Sequence, residues 1–393
     1  MAADTPISAI DTLLVEASDG RSDAQYQLAE CYAHAWIVER DRQLALHWYI
    51  SAARSGHRRA AMRAGITSLD STLVADRKEI AALLKTAAES GHPGSQSFLA
   101  WCFHHGQLVP QDLSVAVGWY QRAAAAGDVK ARHNLALCYQ RGDGVRKDLE
   151  RAFVWFSRAA EQGYPKAQLN LGRALSEGWG CRRDVSKAVH WYEQAADAGN
   201  EKAKLNLGML LIGGEGLLQD DERGASLIRE AAFSDYPKAQ YVFAQLLQKG
   251  LGCAPDPQEA LAWLQRSAEL GYAKAQLLLG RRLKPPESER WLVAAARQGL
   301  SDAQYQLGKY YLRRGELEIA YEWFCRGGDA GHGKSAHCAG VCLATGQGSG
   351  KDRAAAYDWF CRAIELGHER SSAAAEKMAA KLPSVMHRRQ TKN

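Results

Sequence analysis

The stretch Lys166–Glu201, KAQLNLGRALSEGWGCRRDVSKAVHWYEQAADAGNE, decides the fold. Shifted by 36 residues in either direction, its skeleton returns: a small residue, Leu-Gly, an Asp, Trp-Tyr, Ala-Ala and a closing Gly. Self-similarity at a fixed period of this length is the mark of a stacked-repeat protein. Ten copies begin near Asp23, Arg58, Gly94, Lys130, Lys166, Lys202, Lys238, Lys274, Asp302 and Lys334.

Within the copy, Ala167, Leu171, Ala174 and Leu175 fall on one face of a helix over about 166–176. Gly172 lets a partner helix approach closely, and its counterparts are all small, from Ala29 to Gly340. A Gly-rich loop follows. Asp184 then stands where the free N–H groups of a second helix, about 185–198, need an acceptor. The same Asp recurs as Asp41, Asp76, Asp112, Asp148, Asp220, Asp256 and Asp352, so this acidic row reads as caps rather than metal ligands. Trp191 recurs as Trp48, Trp119, Trp155, Trp263, Trp291, Trp323 and Trp359 and is expected to anchor the core between adjacent helices. Gly199 ends the helix in the left-handed conformation. Each unit is thus a helix–loop–helix hairpin that buries both faces only by stacking on its neighbours. The expected fold is all-α, a right-handed superhelical solenoid of about ten repeats with a concave inner face and terminal capping helices.

The matching residues are AQxxLG (Ala167, Gln168, Leu171, Gly172), the G-x-G loop (Gly178, Gly180), Asp184, Ala188, Trp191-Tyr192, Ala195-Ala196 and Gly199. This pattern resembles the Sel-1-like repeat family, a relative of the tetratricopeptide repeats, over roughly residues 23–369. The resemblance implies a scaffold for protein–protein contact, often in bacterial signalling, secretion or envelope assembly. Some secreted members of the family are penicillin-binding or β-lactamase-like and carry a disulfide in each repeat. No repeat here shows the close, regular Cys pairs of that subgroup.

Residues 1–22 hold a helix over about 7–17 in register with the second half of a repeat, an N-terminal cap. Residues 370–381 form a polar-faced C-terminal capping helix, and 382–393 (LPSVMHRRQTKN) a disordered basic tail. Three copies depart from the pattern. The second has Leu83 in place of the Trp and a long loop around 67–76. The eighth is shortened at Pro285-Pro286, which should end its first helix abruptly, and the ninth turns at Gly315. Copies eight and nine are expected to change the superhelical twist.

Composition narrows the function. Hydrophobic residues are 46% and charged residues 24% of the 393, a core-forming chain, and the formal charge is only +6. The basic residues are spread through the repeats, which argues against nucleic acid. No apolar run is long enough to span a membrane, so no membrane insertion is expected. Nine cysteines, an odd number, with no recognisable signal peptide point to reduced thiols and a cytoplasmic setting. No nucleophile elbow, phosphate-binding loop, dinucleotide fingerprint or zinc-protease motif is present, so no catalytic residue and no cofactor is assigned. Cys31, Cys102, Cys138 and Cys342 read as small buried core residues. Cys338 and Cys342 share a helix face near His332 and His337, but without a second Cys/His pair no metal site is assigned. The recurrent Gly-His at His57, His92, His332 and His368 reads as a solvent-facing turn.

What remains for function is the inner face of the first helices, at positions 1, 4, 5, 8, 11 and 12 of each copy. Asn134, Asn170 and Asn206 repeat at position 5 and can pair with an extended peptide backbone. Lys130, Lys166 and Lys202 at position 1, with Arg173, suit an acidic group or terminal carboxylate. Trp101, flanked by Phe98, His104, His105 and His133, is the candidate anchor. The expected function is a non-catalytic scaffold, adaptor or regulator gripping a peptide or helix of another protein, an acidic one among the candidates, in the groove of copies three to six. The alternative is a hydrolase or β-lactam-binding protein like the secreted members, and a third reading is envelope binding.

Overall fold

The structure is a computed structural model that describes residues 6–70, 72–73, 76–214 and 219–382. Among these residues it contains twenty-two α-helices, one short 3-10 turn and no strand. The chain divides into two compact units, Met1–Ala203 and Lys204–Asn393.

In the first unit, α1 (Pro6–Ser18) packs on α2 (Ser22–His34) as the N-terminal cap. Hairpins follow as α2 with α3 (Arg42–Arg54), α4 (Arg58–Thr67) with α5 (Arg77–Glu89), α6 (Pro93–His105) with α7 (Leu113–Ala125), α8 (Val129–Arg141) with α9 (Leu149–Ala160), and α10 (Pro165–Glu177) with α11 (Val185–Asp197). After α12 (Glu201–Gly213) and α13 (Asp221–Phe233), the second unit pairs α14 (Pro237–Lys249) with α15 (Pro257–Glu269) and α16 (Ala273–Arg282) with α17 (Glu287–Arg297). It continues with α18 (Ser301–Arg313) on α19 (Leu317–Asp329) and α20 (Gly333–Thr345) on α21 (Arg353–Glu365). Most first helices span 13 residues. The eighth copy's, α16, stops at 10, just before Pro285-Pro286. The C-terminal cap is the 3-10 turn Glu369–Ser371 leading into α22 (Ser372–Ala379), which packs on α21. Of the expected tail, residues 383–393 lie outside the described residues.

The hairpins are closed by a small-against-large contact. Leu171 is 2% exposed, and a Cβ added to Gly172 would come within 2.8 Å of the Tyr192 ring. Gly308 faces Phe324 and Gly340 faces Phe360 in the same way. The fully buried residue is therefore the one after the tryptophan: Tyr49, Tyr120, Phe156, Tyr192, Phe324 and Phe360. This corrects the expected core role of the Trp row. Trp119, Trp155, Trp191, Trp323 and Trp359 are half-buried; Trp263, at 7% exposed, is the most enclosed. One residue is about 100° around a helix, so the Tyr or Phe turns inward while the Trp lies on the seam with the preceding hairpin. Trp119 packs there against the cluster of Leu84 and Ala88. Its outer face is covered by an arginine one turn on. Arg122, Arg158 and Arg326 sit 4.7 Å over the rings of Trp119, Trp155 and Trp323.

Consecutive hairpins are also tied by hydrogen bonds. The Gln of the AQxxLG motif is buried and donates Nε2–H to a last-turn carbonyl of the preceding hairpin. Gln96 bonds Ala88, Gln168 bonds Ala160 and Gln240 bonds Ala232, at 3.0, 3.3 and 3.1 Å. These carbonyls lie in the last turn, beyond the regular helical ladder, and the Gln adds to the closing-turn N–H groups of Gly91 and Gly163 that reach Ala88 and Ala160. Where the Gln is replaced, Arg132 Nε reaches Ala124 instead at 3.1 Å. All eight predicted Asp caps accept a backbone N–H of the second helix, as Asp184 does from Lys187 at 3.0 Å. Asp235, standing where the sixth copy lacks its closing Gly, holds the same left-handed conformation at φ 56°.

Candidate functional site

Most of the candidate residues sit on the solvent side of the first helices, and α6 carries the most distinctive group. Positions i, i+3 and i+7 of α6 lie on one face, so Phe98, Trp101 and His105 form a continuous ring stack. Phe98 and Trp101 are 5.7 Å apart and nearly parallel, at 8°. Trp101 and His105 are 4.5 Å apart. His105 is exposed and its Nδ1 donates to the Trp101 carbonyl at 2.9 Å. Phe98 and Trp101 are half-buried and rest on the hydrophobic cluster of Leu84, Leu99 and Cys102. Below Phe98 is Gly65 of α4, which leaves room for the ring edge. The stack therefore has a fixed inner edge and an open outer one.

His133 is a correction. It is buried, 6% exposed, because position 4 is not part of the open face. Its ring packs against Phe156 at 5.6 Å and edge-on to Tyr164 at 5.2 Å. The same clamp recurs where Tyr26 stacks on His57 at 4.3 Å and Tyr305 meets His332 at 4.9 Å. Position 4 thus rides against the residue after the closing Gly of the same copy, a contact between helices rather than with a partner. Burial pushes the His133 imidazole down to about 4, with Lys166 and Arg141 adding to the shift. Its Nδ1 has no hydrogen-bond partner.

The Gly-His residues are also corrected. His57, His92 and His332 are partly buried N-caps, their Nδ1 accepting from Ala60, Ser95 and Ser335 N–H at 3.0, 3.1 and 3.1 Å. Nδ1 stands two bonds from Cβ, as an Asp Oδ1 does, and so reaches the same donor. His368 instead shares the Ser371 hydroxyl with His337, at 2.8 and 2.9 Å.

The remaining candidates are reachable from solvent. Lys130, Lys166 and Lys202 are exposed, and Asn134, Asn170 and Asn206 half-exposed. Asn134 interacts with the buried Tyr120 hydroxyl, so its amide is partly committed. Asn206 lies in the second unit and is taken with that unit alone. Arg173 is exposed but engaged: it lies 4.4 Å over the Trp179 ring and pairs with Glu177 at 2.9 Å, while Trp179 Nε1 donates to the same carboxylate at 2.9 Å.

His104 turns away from the ring stack into a group that the sequence reading did not anticipate. Its Nδ1 is 3.8 Å from Cys138 Sγ and its Nε2 3.8 Å from Asp143 Oδ2. Cys, His and Asp in line suggest a nucleophile with its base. The thiol is 1% exposed, however, and burial pushes it up to about 12, the opposite of an activated cysteine. Cys338 and Cys342 are likewise raised to about 11 by burial. His337, their neighbour, is bonded to Ser371. All nine cysteines are unpaired. Among the described residues no group of three or more His, Cys, Asp or Glu is placed to hold a metal ion. No helix among them is long and apolar enough to cross a membrane.

The stacked hairpins, with their Gly–aromatic closure and Asp caps, define an α/α repeat protein. The Sel1 repeat family matches at residues 22–57, 93–128, 129–164, 165–200, 202–232, 237–272, 301–332 and 337–368, well over half of the chain, which belongs to that family. The second and eighth copies, which depart most from the pattern, are the ones passed over. The chain is similar to a protective antigen of uropathogenic Escherichia coli strains displaying an SLR fold, at 28% identity and TM-score 0.63, covering 94% of this chain and 82% of that one. It is also similar to a Sel1 repeat protein from Oxalobacter formigenes, at 28% identity and TM-score 0.56, covering 60% of this chain and 96% of that one. Comparison with curated proteins finds no match.

Proposed function

We propose that the protein is a non-catalytic, cytoplasmic scaffold that binds a segment of another protein on the open face of its first helices. The observation that carries this reading is the Phe98–Trp101–His105 stack. Three aligned rings cost little conformational entropy to immobilise and offer a broad apolar anchor, the kind of group that dominates interfaces. Most other aromatics go into the hairpin seams, with Trp36 and Phe233 exposed elsewhere, and this row of three is left open on one edge. Asn134 and Asn170 on the next two first helices supply amides for a backbone, and the exposed Lys130, Lys166 and Lys202 favour an acidic segment. Arg173 contributes through the Trp179 face it covers. The buried thiols and the absence of an activated nucleophile among the described residues give no support to a hydrolase reading.

The test is capture of partners from cells of the native source by the wild-type chain and by Trp101→Ala/Asn170→Ala. Both substitutions are at half-exposed positions, so the fold should persist, which circular dichroism checks. The partners bound by the wild type should be lost, and their retention at wild-type affinity would refute the reading.

A further inference from the structure

The loops that join the two helices of each hairpin form an edge of the first unit that adjoins the face just described, with Arg173 of that face lying over Trp179 of a loop. In two adjoining hairpins this edge gathers six cations against four carboxylates. Between α8 and α9 it carries Arg146 and Lys147, followed by Arg151. Between α10 and α11 it carries Arg182 and Arg183, followed by Lys187. All six are exposed.

Asp143, Asp148, Glu150 and Asp184 oppose them nearby in sequence; Asp143 faces His104 Nε2 at 3.8 Å, which leaves Glu150 and the capping pair Asp148 and Asp184 beside the cations. Asp148 and Asp184 are committed as helix caps, to Arg151 N–H at 2.9 Å and Lys187 N–H at 3.0 Å. Their other oxygens hold the Arg151 and Lys187 side chains at 3.2 and 3.3 Å. Arg183 is steadied by donating to the Ser176 carbonyl at 2.8 Å. Arg146, Lys147 and Arg182 form no hydrogen bond or ion pair among the described residues, though Arg182 lends its charge to the Asp184 carboxylate.

The two loops are in backbone contact. Gly180 fits against the Leu149 carbonyl and has no room for a Cβ, so the two sets of cations belong to one surface. Two open cavities lie along it. One, of about 840 Å³, has Gln121, Tyr139, Val145, Leu149 and Gly180 in its lining, with Arg146, Lys147 and Arg151 at its rim beside Asp148 and Glu150. The other, of about 570 Å³, is lined by Phe153, Leu175 and Cys181, with Arg182, Arg183 and Lys187 around the capping Asp184 at its rim. Each therefore has an apolar floor and a basic rim, one repeat apart, with α9 between them.

We infer that this edge is a second docking surface, and that its occupant is a short acidic polypeptide segment carrying apolar side chains between its carboxylates. Charge complementarity selects the acidic partner. The apolar floors select a polypeptide over a polyanion of uniform chemistry. The width of the patch argues the same way. The loop between α6 and α7, Gly106–Asp112, has no Lys or Arg, and that between α2 and α3 balances Arg40 with Glu39. A nucleic-acid strand would need a longer track and open rings for stacking. The rings along this edge are Phe153, half-buried on a cavity floor, Tyr139, which is buried, and Trp179, which is covered by Arg173, so none stands open as a stacking platform.

The test is fluorescence anisotropy at low salt with a labelled peptide of sequence EELEEFEE, on the wild-type chain, Arg146→Glu/Arg182→Glu, Arg146→Lys/Arg182→Lys and Trp101→Ala. The wild type should bind saturably and release the peptide as salt is raised. The charge reversal should weaken binding at least ~10-fold, or about 1.4 kcal/mol. The lysine pair should restore most of it, and Trp101→Ala should leave it unchanged. No binding by the wild type, equal binding by the charge reversal, loss of binding with Trp101→Ala, or equally tight binding of an oligo-dT strand of matched charge would each overturn the inference. Because Trp101 and Arg146/Arg182 are varied separately, failure here leaves the reading of the helix face standing.

Discussion

The hairpins α6–α7 and α10–α11 share a frame and differ in almost everything they show to solvent. In both, a Leu and a small residue of the first helix, Leu99-Ala100 and Leu171-Gly172, oppose a buried Tyr, Tyr120 or Tyr192, at 1–2% exposure. In both, a Gln reaches back to the preceding hairpin, at Ala88 or Ala160. In both, an Asp caps the second helix. At positions 5 and 8, however, one carries Phe98 and Trp101 and the other Asn170 and Arg173. The loop reads GQLVPQD in one and GWGCRRD in the other. The shared positions are those where two backbones or two helices meet, so chemistry there is dictated by space. The differing ones touch solvent, and packing leaves them free to be set by a partner.

The largest effect should separate the two aromatic rows. Tyr120→Ala empties a site that is 1% exposed and should cost ~3–5 kcal/mol, the range for truncating a large buried aromatic ring. Trp119→Ala, next door and half-buried under Arg122, should cost roughly half as much. Tyr192 and Trp191 should repeat the order. Chemical denaturation of the four variants measures it, and a Trp119 loss equal to or larger than that of Tyr120 would restore the tryptophans as the core anchors.

This contrast also marks what the sequence could convey. The period, the hairpins, the eight Asp caps and the left-handed glycines are local, and each leaves its trace within a few residues. The layer to which Trp191 or Tyr192 belongs is not local, because it depends on where the preceding hairpin lies. Position 4 shows the same limit. His133 looks like a surface residue when its helix is considered alone and becomes a buried clamp once Tyr164 returns beside it. The histidine caps were hidden because Asp is the expected capping residue, although the turn geometry admits Nδ1. At the candidate site, Trp101, Phe98 and His105 could be placed on one face from their spacing. The basic edge escaped because its cations fall in two short groups, 146–151 and 182–187, that lie 36 positions apart and meet only when loops stack.

The second prediction concerns that clamp, which α6–α7 lacks, having Ser97 at the position of His133. The His133 pKa is depressed to about 4, by burial first and then by Lys166 and Arg141. The unfolded chain takes up the proton near 6.5 and the folded one does not. Stability from this group is therefore complete above pH 6.5 and is lost as pH falls towards about 4, amounting to ~3 kcal/mol. His57, His92 and His104 are shifted in the same direction by burial and add to the slope. His133→Phe keeps a ring against Phe156 and Tyr164 and should flatten the decline between pH 6.5 and 4 in denaturant midpoints. An unchanged slope would mean that the proton is accommodated in the fold.

The smallest effect tests whether the basic loop alters the frame it sits on. Asp112 caps α7 through the Val115 N–H alone, at 2.9 Å, with no cation in its loop. Its replacement by Ala should cost ~1 kcal/mol, the usual value of a cap. Asp184 makes the same bond in α11, and its carboxyl is held below the ordinary range by that bond first, then by Lys187 and Arg182. Asp184→Ala should therefore lose the cap and also leave Arg182, Arg183 and Lys187 without their only carboxylate in the loop. At low ionic strength its midpoint should fall further than that of Asp112→Ala, and the excess should vanish in high salt, where exposed pairs are screened. Asp184→Asn isolates the second contribution: the amide oxygen still caps, so in high salt it should match the wild type, and at low salt it should fall short. Equal losses for Asp112→Ala and Asp184→Ala at every salt concentration would show that the cations of this edge exert no field on the fold. They would then be free to answer only to what docks on them.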